Sequence, residues 1–193
     1  PVDKGIALYV SDYVKNYKDE AERYKEGMDK KAPKWEAHEH SEDYYSFSKK
    51  IKSELLFNKA NIISYQVKSH DDKGGANSFT MYRNIVLDLN TGKPLSEYDI
   101  FVAEYKYTLN KILTEKIIAQ NNVKTIDDLL ELGYWCIEDL DSNNNFFVDD
   151  KGITYIYNEG ECSAPSVGTI IIPIGFDELK EILRDDSVIA SLF

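Results

Sequence analysis

At 193 residues the chain is close to the usual size of one domain and long enough to bury a core without a metal or disulfide staple. Hydrophobic residues make up 42% and charged residues 30%, an ordinary globular composition that excludes a fibrous repeat or a long disordered tract. Acidic side chains outnumber basic ones 34 to 23, a formal charge of −11, so nucleic acid and anionic bilayers are repelled and a cationic partner is the electrostatically easy one.

No run reaches the roughly 18 consecutive apolar residues of a membrane span. The longest, Ile170 to Ile174, is strand-sized and interrupted by Pro173. The opening Pro1-Val2-Asp3 is expected to follow a trimmed or processed leader.

Along the chain, Ile6, Val10, Tyr13, Val14, Tyr17, Ala21 and Tyr24 recur at steps of three and four, which predicts an amphipathic helix ending near Gly27. Residues 28–41 hold neither period and read as a connection. Phe47, Ile51, Leu55 and Phe57 fall on one parity, with Ser48, Lys50, Lys52 and Glu54 on the other, the pattern of a half-buried strand. A second alternating run covers Ile62 to Lys68, and Asp71-Asp72-Lys73-Gly74-Gly75 is expected to turn the chain. A third strand carries Phe79, Met81, Ile85, Leu87 and Leu89, closed by 90–94, and the three read as an antiparallel meander.

After Asp99 the period becomes helical, with Val102, Tyr105, Leu109, Ile112, Leu113 and Ile117 sharing a face up to Asn121-Asn122. Thr125 is expected to cap a short helix through Leu132, with Asp127 and Asp128 in its first turn. Strands at 146–148, 153–157 and 169–174 follow, then a helix from Phe176 to Leu183. The fold class expected is α+β, antiparallel strands packed against helices, because each element has one apolar face to bury.

No catalytic residue and no cofactor are expected: G-x-S-x-G, H-E-x-x-H and a phosphate-binding glycine loop are all absent. Asp139, Asp141, Asn143, Asn145 and Asp150 resemble the ligand spacing of a calcium loop. Asn144 stands where its glycine belongs and Asp150 where its final Glu belongs, so a solvated turn is expected and no metal. His38 and His40 lack the partners of a zinc site. Tyr13, Tyr17 and Tyr24 are at helical spacing and are expected to pack rather than stack on a ligand. Cys136 and Cys162 are either buried thiols or a disulfide pair.

Three stretches together resemble the RsiV-like extracellular domain. Gly74-Gly75-Ala76-Asn77, then Asp88-Leu89-Asn90-Thr91-Gly92-Lys93, then Leu95 to Phe101 follow that family's "GGAH … D-x-x-T-G-K … L-x-D-L-F" course, with Asn77 in place of its His. Asn145 to Asn158, Gly168 and the strand ending at Pro173 are similar to its C-terminal half. The similarity covers residues 44–183, leaving 1–43 as an N-terminal helix and connection before an α+β region at 44–193.

The resemblance implies an exported, non-catalytic, cell-envelope binding domain, periplasmic or extracellular, with a lipid anchor upstream. Lysozyme or a peptidoglycan-related ligand is the implied partner, and Gly74, Gly75, Asn77, Tyr157 and Glu161 the implied ligand-binding residues. An envelope enzyme acting on glycan or peptide and a structural accessory domain are the competing classes.

Overall fold

The structure, a computed structural model, describes residues 15, 16, 18, 19, 21–23, 26, 27, 48–72 and 78–193. Two units divide the chain: Pro1–Lys50 with Asp71–Phe79, and Ile51–His70 with Thr80–Phe193. In the first unit, the described residues between 15 and 27 are helical, in agreement with the apolar spacing there. Lys49 pairs with Asp71 at 3.2 Å in the same unit. The start of that helix, the connection at 28–41, His38 and His40, and the boundary expected at 43/44 lie outside the described residues.

Strands β1 (Ser48–Lys59), β2 (Ile62–Asp72), β3 (Ser78–Asp88) and β4 (Lys93–Pro94) form a sheet in that order. Ala60 and Asn61 connect β1 to β2 with φ of 52° and 60°. Two successive positive φ angles are the signature of the two-residue hairpin turn whose twist matches its strands. Asp71 and Asp72 extend β2 instead of beginning the expected turn.

The burial of β1 and β3 corrects the face expected from alternation. Ile51 and Leu55 are about half exposed, and of the expected apolar stripe in β1 only Phe57 is buried among the described residues. In β3 the buried residues are Asn84, Val86 and Asp88, while Met81 and, just past the strand, Leu89 are about half exposed. In β3 the cause is polar satisfaction. Asp88 accepts from the Asn90 amide nitrogens and from Thr91 Oγ1, and Asn84 is bonded on several sides. A polar residue with its partners in place is buried at little cost.

In the second unit, α1 (Glu97–Ile100), α2 (Tyr105–Gln120) and α3 (Ile126–Glu131) precede a second sheet. Tyr105, Leu109, Leu113 and Ile117, four residues apart, form the buried stripe of α2 as expected, whereas Val102 precedes the helix and is partly exposed. Thr125 caps α3 as expected: its Oγ1 accepts from the Asp128 amide, and the Asp128 carboxylate accepts from the Thr125 amide.

The second sheet is antiparallel, β5 (Phe146–Val148), β6 (Gly152–Tyr157) and β7 (Ile170–Gly175) in the order β5-β6-β7. Every residue of the central β6 is buried, which is why it reads as a near-continuous apolar run. β7 is an edge, and only there is Pro173 tolerated, since it has no N–H to give to a ladder. Gly152 has no room for a side chain, because a Cβ there would run into the Ile174 carbonyl. After β7 the α-helix covers Phe176–Leu179 (α4), shorter than the helix expected to Leu183, and Leu183 instead bridges to Phe101.

The mixed α+β architecture with antiparallel sheets agrees with the expectation. No helix among the described residues is long and apolar enough to cross a membrane.

Candidate functional site

The segment that resembles a calcium loop is a polar knot. Asn145 Nδ2 donates to the Tyr82 and Ile156 carbonyls, and its Oδ1 accepts from the backbone and side-chain amides of Asn84. Asn158 repeats the device, accepting from the Tyr82 amide at 2.6 Å and donating to the Tyr82 carbonyl. Two side-chain amides thus supply the partners that a neighbouring strand would give to this part of β3. Asn143 donates to the Ile156 carbonyl and to Glu161, and Asn144 sits in the left-handed region with φ 59°. Of the calcium-like set, Asp141, Asn143 and Asn145 have side-chain oxygens bonded within this scaffold, whereas Asp139 is exposed.

Glu97 lies at the centre of a second cluster. Only 3% exposed, its carboxylate accepts from the Tyr105 hydroxyl at 2.8 Å, the Ser142 hydroxyl at 2.7 Å and the Asn144 amide at 3.0 Å. The Glu97 amide donates back to Asn144 Oδ1, so α1 and the 142–144 loop hold each other in both directions. Burial, reinforced by this carboxylate, pushes the Tyr105 phenol well above its ordinary range and does the same to the deeply buried Tyr155. Tyr157 is raised for the same reasons, burial first, and its hydroxyl donates to the Asp141 carbonyl. These phenols stay protonated at any physiological pH and serve as hydrogen-bond donors or as core.

Of the residues expected at a ligand site, Tyr157 and Glu161 are brought to one end of this knot. Tyr157 is buried. Glu161 is exposed, and its two oxygens accept from the Asn158 amide and from Asn143. Gly74, Gly75 and Asn77 lie outside the described residues.

Sequence reasoning missed a groove of about 660 Å³ along α2, facing the single-turn 3-10 helix at Ile137–Asp139. Ile118 and Ile126 contribute apolar surface, Tyr107 stands 82% exposed in its lining, and Glu115, Glu138, Asp139 and Asp141 bring carboxylates to it. Tyr107, Thr114 and Ile118 fall at helical steps on a second stripe of α2, a signal present in the sequence but masked by the stronger stripe of Leu109 and Leu113. Asp141 is held ionised, its pKa lowered first by Lys106 and then by Asn110.

A disulfide joins Cys136 to Cys162, with Cα atoms 5.1 Å apart. It pins the chain just before the 3-10 turn to the segment after Glu161. Backbone bonds from Trp135 to the Cys162 carbonyl and from Ala164 to the Gly133 carbonyl flank it.

Residues 98–177 match a family described as a protein of unknown function, DUF3298. A crystal structure of a member of that family from Bacteroides fragilis is similar to this chain at a TM-score of 0.77 and 26% identity, covering 97% of this chain and 71% of that one. A DUF3298 family protein from Pseudomonas aeruginosa is similar in fold at a TM-score of 0.59 and 16% identity, covering 72% of this chain and 62% of that one. No curated protein matches the sequence.

Proposed function

We propose that the protein is a non-catalytic binding domain of the bacterial cell envelope, exported and lipid-anchored, whose ligand is a lysozyme or a peptidoglycan-related molecule. The resemblance of residues 44–183 to the RsiV-like extracellular domain supports the compartment and the ligand class. The observation that carries the binding reading is the exposed acidic and aromatic surface around Tyr107, Glu138 and Asp139 on a chain of charge −11. An exposed aromatic ring beside carboxylates without cationic partners complements a cationic surface.

The disulfide supports an oxidising compartment, where such bonds persist. Glu97 is sealed and its oxygens are already bonded, so it serves as a structural clamp.

Equilibrium titration with c-type and other lysozymes and with soluble peptidoglycan fragments tests the reading. It is done at about 0.15 M salt, where the screening length is near 8 Å and purely long-range attraction fades. Saturable binding that survives at that salt is expected. Failure of every one of these ligands to bind would overturn the reading.

A further inference from the structure

We propose that the groove between α2 and the turn at 137–141 docks an extended segment of a protein partner in which Lys or Arg alternates with apolar side chains. The inference deepens the binding reading above and rests on it, by assigning a surface and a partner chemistry.

Shape is the first argument. From Tyr107 to Ile118 the groove follows twelve residues, eleven steps, of α2. At 1.5 Å per residue that is about 16 Å, the length of about five residues of extended chain. Its apolar strip, Ile118 and Ile126 with the margins of Ile137 and Leu140, suits side chains projecting from one face of such a segment.

Charge is the second. Four carboxylates line the groove against one lysine, Lys111, which faces Glu115 at 3.8 Å. Asp141 is engaged by Lys106. Glu138 and Asp139 are exposed and make no ion pair or side-chain hydrogen bond among the described residues. They are the two charges a cationic side chain meets without displacing a competitor. An anionic segment or a phosphate would face the same carboxylates and be repelled.

Rigidity is the third. Cys136, adjacent to Ile137, is tied to Cys162, and Asn110 reaches across from α2 to the Ser142 amide and to Asp141. Both walls are thereby held before a partner arrives, so little ordering cost is left to binding. Tyr107 supplies a stiff amphipathic ring at one end, the kind of residue that anchors interfaces.

The experiment is NMR shift mapping on the full chain with an end-blocked Lys-Leu-Lys-Leu-Lys-Leu peptide at about 0.15 M salt. The Glu-Leu counterpart is the control. Shifts confined to 107–118 and 137–141, absent with the acidic peptide, are expected. Affinity should fall at least tenfold in the double variant Glu138→Lys with Asp139→Lys, and also in Tyr107→Ala, with unchanged thermal melting because all three side chains are exposed. Shifts elsewhere, equal response to the acidic peptide, or unaltered affinity in both variants would overturn the assignment. Lysozyme that binds wild type and the double variant alike removes the groove and leaves the binding reading standing. A seated Lys-Leu peptide without lysozyme or peptidoglycan binding supports the groove and removes those two ligands.

Discussion

The hydroxyl of Tyr105 donates to the carboxylate of Glu97 over 2.8 Å, eight residues back along the chain and sealed from water. Through Ser142 and Asn144 the same carboxylate also holds the loop that carries Asp141 to the groove. Tyr105→Phe removes one charge-assisted bond, for which about 1.5–3 kcal/mol is typical. Glu97→Ala takes the acceptor from three donors, the Tyr105 and Ser142 hydroxyls and the Asn144 amide, and is expected to cost more than Tyr105→Phe. A double-mutant cycle by urea unfolding should give a coupling of about 1 kcal/mol or more, and additive losses would disconnect the pair.

The phenols give an alkaline signature. Tyr105, Tyr155 and Tyr157 have folded pKa values raised above 10.0 by burial and by the Glu97 charge. A raised folded pKa means the stabilisation is fully present below the unfolded value and is lost as pH rises beyond it. Ultraviolet titration of the 14 tyrosines should therefore show a group that ionises only with unfolding above pH 10. Smooth titration of all of them at one midpoint would contradict this.

At acid pH the sign is opposite. Asp99, Asp128 and Asp141 are lowered from 3.8 and Glu178 from 4.5, by Ser96, Thr125, Lys106 and Lys116 respectively as the leading causes. Each is a depressed carboxylate whose stabilisation is present above its unfolded value and lost as pH falls through the folded one. Thermal midpoints should be level near neutrality and decline below about pH 4.5.

The disulfide closes a separation of 26 residues. The chain-entropy relation assigns such a loop about 3.5 kcal/mol of stability. Cys136→Ser with Cys162→Ser should lower unfolding stability by up to that amount, and a change under 1 kcal/mol would mean that the flanking backbone bonds hold the segment without it.

Asn145→Ala isolates the knot. The Tyr82 and Ile156 carbonyls keep second donors in Asn158 and Asn143, so the groups that lose their acceptor are the backbone and side-chain amides of Asn84. A loss of at least about 1–3 kcal/mol is expected by chemical denaturation, the range typical of a single buried orphan donor.

Much of this architecture was legible because periodicity reports burial. The stripe of Leu109, Leu113 and Ile117, the Thr125 cap and the run at Ile153 to Tyr157 each follow from a local rule of spacing or capping. β3 was not legible by that route, since Asn84 and Asp88 are buried by partners that alternation cannot see. Asn145 and Asn158 lie 61 and 76 residues from the β3 groups they bond, so their role depends on tertiary placement. The same holds for the groove, whose walls come from α2 and a turn about 20 residues beyond it. Tyr157, a ligand contact on the RsiV-like resemblance, has its ring in the core and its hydroxyl on the Asp141 carbonyl, a placement that spacing along β6 does not reveal.

On the proposed function, the protein binds its ligand without turning it over. The most direct measurement is mass spectrometry of the full chain incubated with lysozyme and, separately, with soluble peptidoglycan fragments, recording complexes and products over time. A stable complex with at least one of them, and every ligand recovered at its starting mass, is the result expected. Cleaved or modified ligand that accumulates with time, or no complex with either, would contradict the account.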